Sequence, residues 1–172
     1  ILSANLERCG VTNVIVTRKE GEAFCQRLQK YNSEMKFDKI LLDAPCSGEG
    51  TLRSSLRTAE MWNIKTIQNL PKLQKNLFKA AFEVLKVGGE MIYSTCTHAP
   101  EEDEAIVSWA LDEFKDKIEI EKISFPKELK FREGITEWQG KKYNSLVKLS
   151  CRIYPQDNNT EGFFISKFKK VR

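Results

Sequence analysis

The sequence has one histidine, His98, and none of its five cysteines form a CxxC pair. A structural zinc site needs four nitrogen or sulfur ligands, usually in such closely spaced pairs, so the pattern argues against a metal site. Five scattered cysteines are also too few for a disulfide scaffold. They favour a reducing, cytoplasmic setting.

Long apolar runs are missing as well. The longest is about half a dozen residues, whereas a membrane-spanning helix needs roughly 20. We therefore expect no membrane partner. The 172 residues, 41% of them hydrophobic, are enough for one domain with a real core, and we treat residues 1–172 as that single domain.

Positive charge is concentrated near the C-terminus. Residues 122–172 contain 12 Lys and Arg against 5 Asp and Glu, although the net charge of the whole chain is only +4. A basic segment of this kind favours a phosphate-rich partner. A solvated, lysine-rich face is the alternative, and charge alone does not separate the two.

Hydrophobic patterning predicts alternating strands and helices. Helices are expected up to Gly10, over 20–30, from Pro71 to a stop at Gly88 and Gly89, and over 100–114. Strands are expected over 11–17, 37–45, 90–97, 118–125 and 161–170. A polar loop with short helical turns is expected at 51–70, and an irregular basic insert at 126–149. This order predicts an α/β fold with a mostly parallel sheet and an antiparallel closing strand.

Two predicted strands end in unusual corners, LLDAPCSGEG at 41–50 and MIYSTCT at 91–97. Ligands of parallel sheets bind outside the carboxyl ends of the strands, so Cys46 and Cys96 should share one crevice. A helix start after Cys96 would lower the pKa of its thiol and make it a nucleophile, whereas packing in the core is the plain alternative. Asp43 is either a ligand or catalytic contact or a cap of the turn. Glycines beside Cys46 would admit a nucleic base.

The segments DAPCSGEGT and YSTCTHAPEEDEAIV resemble the two active-site motifs of the RNA cytosine-C5 methyltransferases of the Sun or Fmu type. RIYPQDNNTEGFFISKF resembles the C-terminal motif of that family, and LSANLERCGVTNVIVT resembles the segment that leads into its third strand. The resemblance covers nearly the whole chain. It implies a Rossmann-like fold that uses S-adenosylmethionine to methylate RNA.

The resemblance also implies residue roles. Cys96 would add to C6 of the cytosine and activate C5 for methylation, Asp43 would hydrogen-bond the ring at N3, and Cys46 would assist release of the product. Asp43, Ala44 and Pro45 would line the cofactor site. Glu20, in the segment TRKEG, is the nearest candidate for the acidic residue close to the adenine.

The sequence departs from the family in its cofactor motifs. The glycine-rich turn after the first strand and the acidic residue after the second are both absent. We therefore expect the C-terminal part of a catalytic domain, with its N-terminal strands missing. Alone, such a domain would be incomplete, bind S-adenosylmethionine poorly, be inactive and tend to self-associate through open strand edges.

Two other interpretations remain open at this point. The chain could be a non-catalytic RNA-binding or assembly module that has lost cofactor capture, or its thiols could be packing alone. For the enzyme, the small size favours transfer RNA over ribosomal RNA, as in an archaeal-type tRNA methyltransferase. The target cytosine and the oligomeric state stay undetermined by the sequence.

Overall fold

The computed structural model describes residues 2–172, which form a mixed sheet with helices packed around it. The helices are α1 (Leu2–Arg8), α2 (Gly21–Tyr31), α3 (Leu56–Met61), α4 (Ile64–Val84), α5 (Glu104–Glu113) and α6 (Pro155–Asn158). The strands are β1 (Phe37–Asp43), β2 (Leu85–Thr95), β3 (Ile118–Glu121), β4 (Arg132–Glu133), β5 (Glu137–Trp138), β6 (Lys141–Lys142), β7 (Cys151–Ile153) and β8 (Phe163–Lys170).

Six strands form the main sheet in the order β1-β2-β8-β7-β4, and β3 pairs with β8 beyond the end of β7. Strands β5 and β6 form a separate hairpin. The α/β class and the antiparallel closing strand β8 are confirmed. The expectation of a mostly parallel sheet is wrong for the described residues, because β1 and β2 pair in parallel and the other pairs are antiparallel.

The physical reason lies in β8. This strand enters the sheet antiparallel to β2 along one edge, and its other edge pairs first with β7 and then with β3. Only a short connection joins β7 to β8, and a connection without a crossover permits antiparallel pairing alone.

The core is centred on Phe78 of α4, which is fully buried. Its ring lies 5.2 Å from that of Phe168 on β8 and about 6 Å from those of Tyr93, Trp109 and Phe114, so it joins the sheet to α5. The buried residues of α4 recur at helical spacing, which turns one face of the helix onto the sheet.

Two predicted helix boundaries are wrong. Helix α4 begins at Ile64, before Pro71, because the side chain of Asn63 caps it by accepting a hydrogen bond from the Thr66 amide. It ends at Val84, so Gly88 and Gly89 lie within β2. A Cβ on Gly89 would come within 2.9 Å of the Asp38 carbonyl oxygen, and this glycine therefore permits close approach of β1 and β2.

The predicted strand at 11–17 is also wrong. These residues form no regular element, and the Ile15 side chain is 91% exposed. A strand needs a neighbour for its backbone hydrogen bonds, and none of the described strands lies beside this segment. The helix before it is confirmed, and Gly10 follows that helix with a φ of 69°.

Candidate functional site

The carboxyl ends of β1 and β2 bring the two cysteine corners together. Asp43 pairs with Ser94 in the parallel register, the Ser94 hydroxyl donates to Asp43 Oδ1 at 3.0 Å, and the Ala44 amide donates to the Ser94 carbonyl at 2.9 Å. Beyond this point the Sγ atoms of Cys46 and Cys96 lie 3.3 Å apart. The predicted proximity of the two thiols is therefore confirmed.

Gly50 joins these corners to a third segment. Its amide donates to the Cys96 carbonyl at 2.8 Å, and its own carbonyl accepts from the Gly162 amide at 2.8 Å. A Cβ at position 50 would clash with the carbonyl oxygens of both Gly162 and Cys96. The second glycine of the motif is thus required by the close approach of three backbone segments.

The two thiols differ in acidity because they share one hydrogen bond. The bond from Cys46 lowers the pKa of Cys96 to about 7, although partial burial and the charges of Asp43 and Glu102 act in the opposite direction. The same bond, together with burial, raises the pKa of Cys46 above its usual range. Near neutral pH the pair therefore holds a thiolate at Cys96 and a proton at Cys46.

A buried carboxylate holds the Cys46 corner in place. Glu102 Oε2 accepts from the Ser47 amide at 3.0 Å and from Gln74 Nε2 at 2.9 Å, and the same Gln74 nitrogen donates to the Pro45 carbonyl at 3.0 Å. Burial raises the pKa of Glu102, while the bonds from Ser47 and Gln74 act against that rise. Sequence reasoning missed the role of both side chains.

The next two acidic residues are buried as well, at the start of α5. Asp103 accepts from the Thr95 hydroxyl at 2.6 Å, and Glu104 forms two hydrogen bonds with the guanidinium of Arg152 on β7. Desolvation raises the pKa of Asp103 well above its usual range, although Arg152 favours the ionised form. The helix lies within the predicted range 100–114, and Glu102, Asp103 and Glu104 at its start face the protein interior.

The predicted cofactor residues are only partly brought together. Asp43 and Pro45 are exposed at the end of β1, and Ala44 is buried between them. Glu20 lies at the start of α2, exposed, and its described hydrogen bond is a backbone one from the Phe24 amide. No described contact joins Glu20 to the Asp43 corner.

A pocket of about 240 Å³ opens beside Cys46. Its other walls come from α3 and the start of α4, within the segment that the sequence indicated as a polar loop with short helical turns. Trp62 forms part of its wall, and its indole donates to Glu49 Oε1 at 2.8 Å. A lone tryptophan in a polar segment was the available signal for this wall.

Within residues 2–172, no cluster of three or more His, Cys, Asp or Glu side chains is arranged to hold a metal ion. The ring of His98 is stacked on Tyr154, 4.9 Å away. In the same part of the chain, no helix combines the length and the apolar character that crossing a membrane requires.

Comparison with known proteins gives concordant matches. A family model described as "16S rRNA methyltransferase RsmB/F" matches residues 1–169. A "tRNA (cytosine(49)-C(5))-methyltransferase" from Pyrococcus abyssi is 43% identical over all of this chain and 52% of its own length. "Ribosomal RNA small subunit methyltransferase F" from Aeromonas salmonicida is 36% identical over 99% of this chain and 32% of its own.

Solved structures agree with these matches. A methyltransferase homolog protein from Pyrococcus horikoshii has a TM-score of 0.76 and 34% identity, covering 98% of this chain and 48% of its own. NSun6 from the same organism, solved with the S-adenosylmethionine analogue SFG, has a TM-score of 0.73 and 30% identity. The match covers 99% of this chain and 38% of that one. The chain thus spans about half or less of the length of these relatives.

Proposed function

The chain belongs to the RsmB/F family of RNA cytosine-C5 methyltransferases, and from this premise we propose that it transfers a methyl group from S-adenosylmethionine to C5 of a cytosine in RNA. In this proposal, Cys96 forms a covalent bond to C6 and Cys46 assists its release. The activity belongs to the whole protein, of which this chain supplies the thiol pair. The observation that supports the proposal most directly is the 3.3 Å separation of two thiols with opposite pKa shifts.

Attack begins at Cys96. A cytosine C5 is a weak nucleophile, and addition of the Cys96 thiolate to C6 moves the ring electrons so that C5 becomes enamine-like. Asp43 would hydrogen-bond the ring at N3, where charge develops during this addition. The pKa of about 7 keeps a large fraction of Cys96 ionised at neutral pH.

Release of the product breaks the bond between C6 of the base and the Cys96 sulfur. After methylation the C5 proton passes to solvent, its bonding electrons re-form the C5–C6 double bond, and the S–C6 bond breaks with its electrons on Cys96 sulfur. The leaving group is a thiolate, and the Cys46 thiol is placed to donate a hydrogen bond to it. The bond that makes Cys96 acidic in the free protein would also stabilise it as a leaving group.

The residues of the Asp43 corner fit the reactive end of the cofactor. S-adenosylmethionine supplies an electrophilic methyl group on a positively charged sulfonium, and an exposed carboxylate with one described hydrogen bond suits that charge. Ala44 and Pro45 would complete this wall. Glu20, exposed at the start of α2, stays a prediction for the acidic residue near the adenine, which lies at the other end of the cofactor from the sulfonium.

Transfer RNA is the substrate we propose. The relative that is 43% identical over the whole chain is named for cytosine 49 of tRNA, whereas the ribosomal RNA methyltransferase is 36% identical. Methylation assays on unmodified tRNA and on 16S rRNA transcripts would decide between them.

The test of the mechanism uses full-length protein with the single variants Cys46→Ala and Cys96→Ala. With tRNA and S-adenosylmethionine, Cys46→Ala should accumulate a protein–RNA adduct that survives a denaturing gel, because release is slowed while attack remains. Cys96→Ala should form neither adduct nor product. Cys9→Ala, at an exposed cysteine outside the site, is the matched control and should behave as wild type.

Product formation by Cys96→Ala would refute the covalent mechanism. Absence of both adduct and product in every background, with RNA binding retained, would instead favour a non-catalytic RNA-binding or assembly module.

A further inference from the structure

A long groove of about 700 Å³ lies beside the thiol site, between α4, α5 and the β5–β6 hairpin. Lys75 of α4 stands on one wall, Trp109 of α5 lies between the walls, and the hairpin contributes Trp138, Lys141 and Lys142 to the other wall. No step proposed above uses this groove.

The groove continues towards Cys46. A neighbouring pocket of about 350 Å³ shares Ile67, Glu101, Trp138 and Gln139 with it. Trp62 lines that pocket and also the pocket beside Cys46. Through these shared residues the three cavities form a path of adjoining pockets, and Cys46 lines the last of them.

Every tryptophan of the chain lines this path, namely Trp62, Trp109 and Trp138. Trp138 is 41% exposed, and its indole nitrogen donates to Glu101 Oε1 at 3.2 Å, which holds the ring over the groove. Nucleic bases stack on such aromatic faces with little dependence on sequence.

The lining of the groove carries three lysines and two carboxylates. Among the described residues, Lys75, Lys141 and Lys142 form no salt bridge; Lys75 lies 5.4 Å from the centre of the Trp109 ring. Of the two carboxylates, Glu101 accepts from Trp138 and Asp112 accepts from Asn144 Nδ2. The lining therefore has a small excess of positive charge, and its lysines are free to pair with phosphates.

The hairpin has a defined conformation at its tip. Gln139 and Gly140 connect β5 to β6, and both have positive φ, at 49° and 76°. Positive φ at both central residues is the pattern of a tight two-residue turn that matches the twist of its strands. Trp138 and Lys141 are paired at the base of this turn, so the aromatic and cationic groups are held together.

We propose that this groove binds the single-stranded RNA that flanks the target cytosine, with bases stacked on Trp138 and phosphates next to Lys141 and Lys142. Tryptophans near lysines that form no salt bridge suit a strand of exposed bases and phosphates. The last pocket of the path is lined by Cys46, whose sulfur lies 3.3 Å from that of Cys96, the proposed nucleophile. The proposal rests on the proposed function for the position of the target cytosine at the thiols. Binding of RNA in the groove can be measured without any methylation.

The first test measures binding of a fluorescein-labelled, single-stranded RNA of about 12 nucleotides to full-length protein without cofactor. The double variant Lys141→Ala/Lys142→Ala should weaken binding about tenfold. It should also make the slope of log K against log salt shallower by about 1.4, because each of the two lost phosphate contacts contributes about 0.7. Lys115→Ala with Lys117→Ala removes the same charge from exposed sites outside the groove and should leave both quantities unchanged.

The second test separates stacking from charge. Trp138→Ala should weaken binding of the same RNA about tenfold, whereas Trp138→Phe, which keeps an aromatic face, should recover most of the affinity. Circular dichroism would verify that each variant is folded. Quenching of tryptophan fluorescence by RNA should be smaller in Trp138→Phe than in the wild type.

Affinity within twofold of wild type in both the lysine and the Trp138→Ala variants would overturn the proposal. Equal losses in the groove and control lysine variants would overturn it too, since the effect would then be one of net charge. The outcome is independent of catalysis. If the groove variants bind RNA normally while Cys46→Ala still traps its adduct, only the groove proposal is refuted. If the groove variants lose RNA binding but the wild type shows no methylation, only the proposed function is refuted.

Discussion

At the scale of single residues, the site depends on a hydrogen bond between two thiols. Two otherwise ordinary cysteines acquire opposite pKa shifts because one of them holds the shared proton. The different roles that we propose for them follow from the surroundings of each sulfur atom.

The hydrogen bond between the two thiols predicts how the reactivity of Cys96 depends on pH. Since the pKa of Cys96 is lowered to about 7, its thiolate is populated above that pH and lost below it. Cys46→Ala removes the donor, so we expect the pH midpoint for alkylation of Cys96 by iodoacetamide to rise by about one unit or more. Peptide mass spectrometry after timed alkylation measures this midpoint. Alkylation of exposed Cys9 serves as the internal reference, and an unchanged midpoint would contradict the assignment.

Individual residues also show where the sequence was informative. Asp43, Cys46 and Cys96 could be singled out because each lies at or just beyond the end of an apolar strand, and the structure brings these strand ends together. Glu102 and Gln74 were missed for a physical reason. A carboxylate within an acidic run normally faces water, and a glutamine on a helix rarely reaches a loop; only the folded chain shows that they jointly bind the Cys46 corner.

At the scale of elements, the start of α5 is held by a buried ionic cluster. Arg152 of β7 is only 2% exposed and faces both Glu104 and Asp103. The cluster holds the start of α5, the first helix after the Cys96 corner. The same ion pairs therefore stabilise both the helix and the position of this corner.

Arg152→Met should lower the free energy of unfolding by about 3–5 kcal/mol, because it leaves two buried carboxyl groups without their cation. Urea unfolding followed by circular dichroism measures the change. Arg132→Met on β4 is the matched control: Arg132 pairs with Asp157 at the surface, where water screens the charges, and its loss should have a much smaller effect. Similar losses in the two variants would contradict the view that burial governs this cluster.

Element boundaries were the weaker part of the sequence analysis. Proline and paired glycines usually mark helix ends, yet Pro71 lies inside α4 and Gly88 and Gly89 lie inside β2. Asn63 caps the start of α4 ahead of Pro71, and the close pairing of β2 with β1 requires a glycine at position 89. A local cap that the sequence analysis overlooked therefore decided the first boundary, and the pairing of β1 with β2, a tertiary contact, decided the second.

At the scale of the whole molecule, one edge of the sheet is apolar and open in the described residues. Strand β1 pairs only with β2 there, and Leu41 on this strand is 70% exposed. Ile15, in the segment that forms no strand, is also exposed. Unpaired edges with apolar side chains promote association between chains.

We therefore expect the isolated 172-residue chain to self-associate, and Leu41→Lys to reduce that association. Sedimentation velocity over a range of protein concentrations measures it. Leu56→Lys adds the same charge at an exposed leucine of α3 and should have a smaller effect. A wild-type chain that remains monomeric at every concentration would contradict this prediction.

The position of β8 has a consequence for how the protein is made. The last strand of the chain lies in the interior of the sheet, against β2, and Gly162 just before it binds Gly50. During synthesis, Cys46 and Cys96 would emerge from the ribosome well before the residues that hold their corners in place. A premature stop codon a few residues into β8 would therefore remove a central partner of the sheet, and the contact between Gly162 and Gly50 would lose its support.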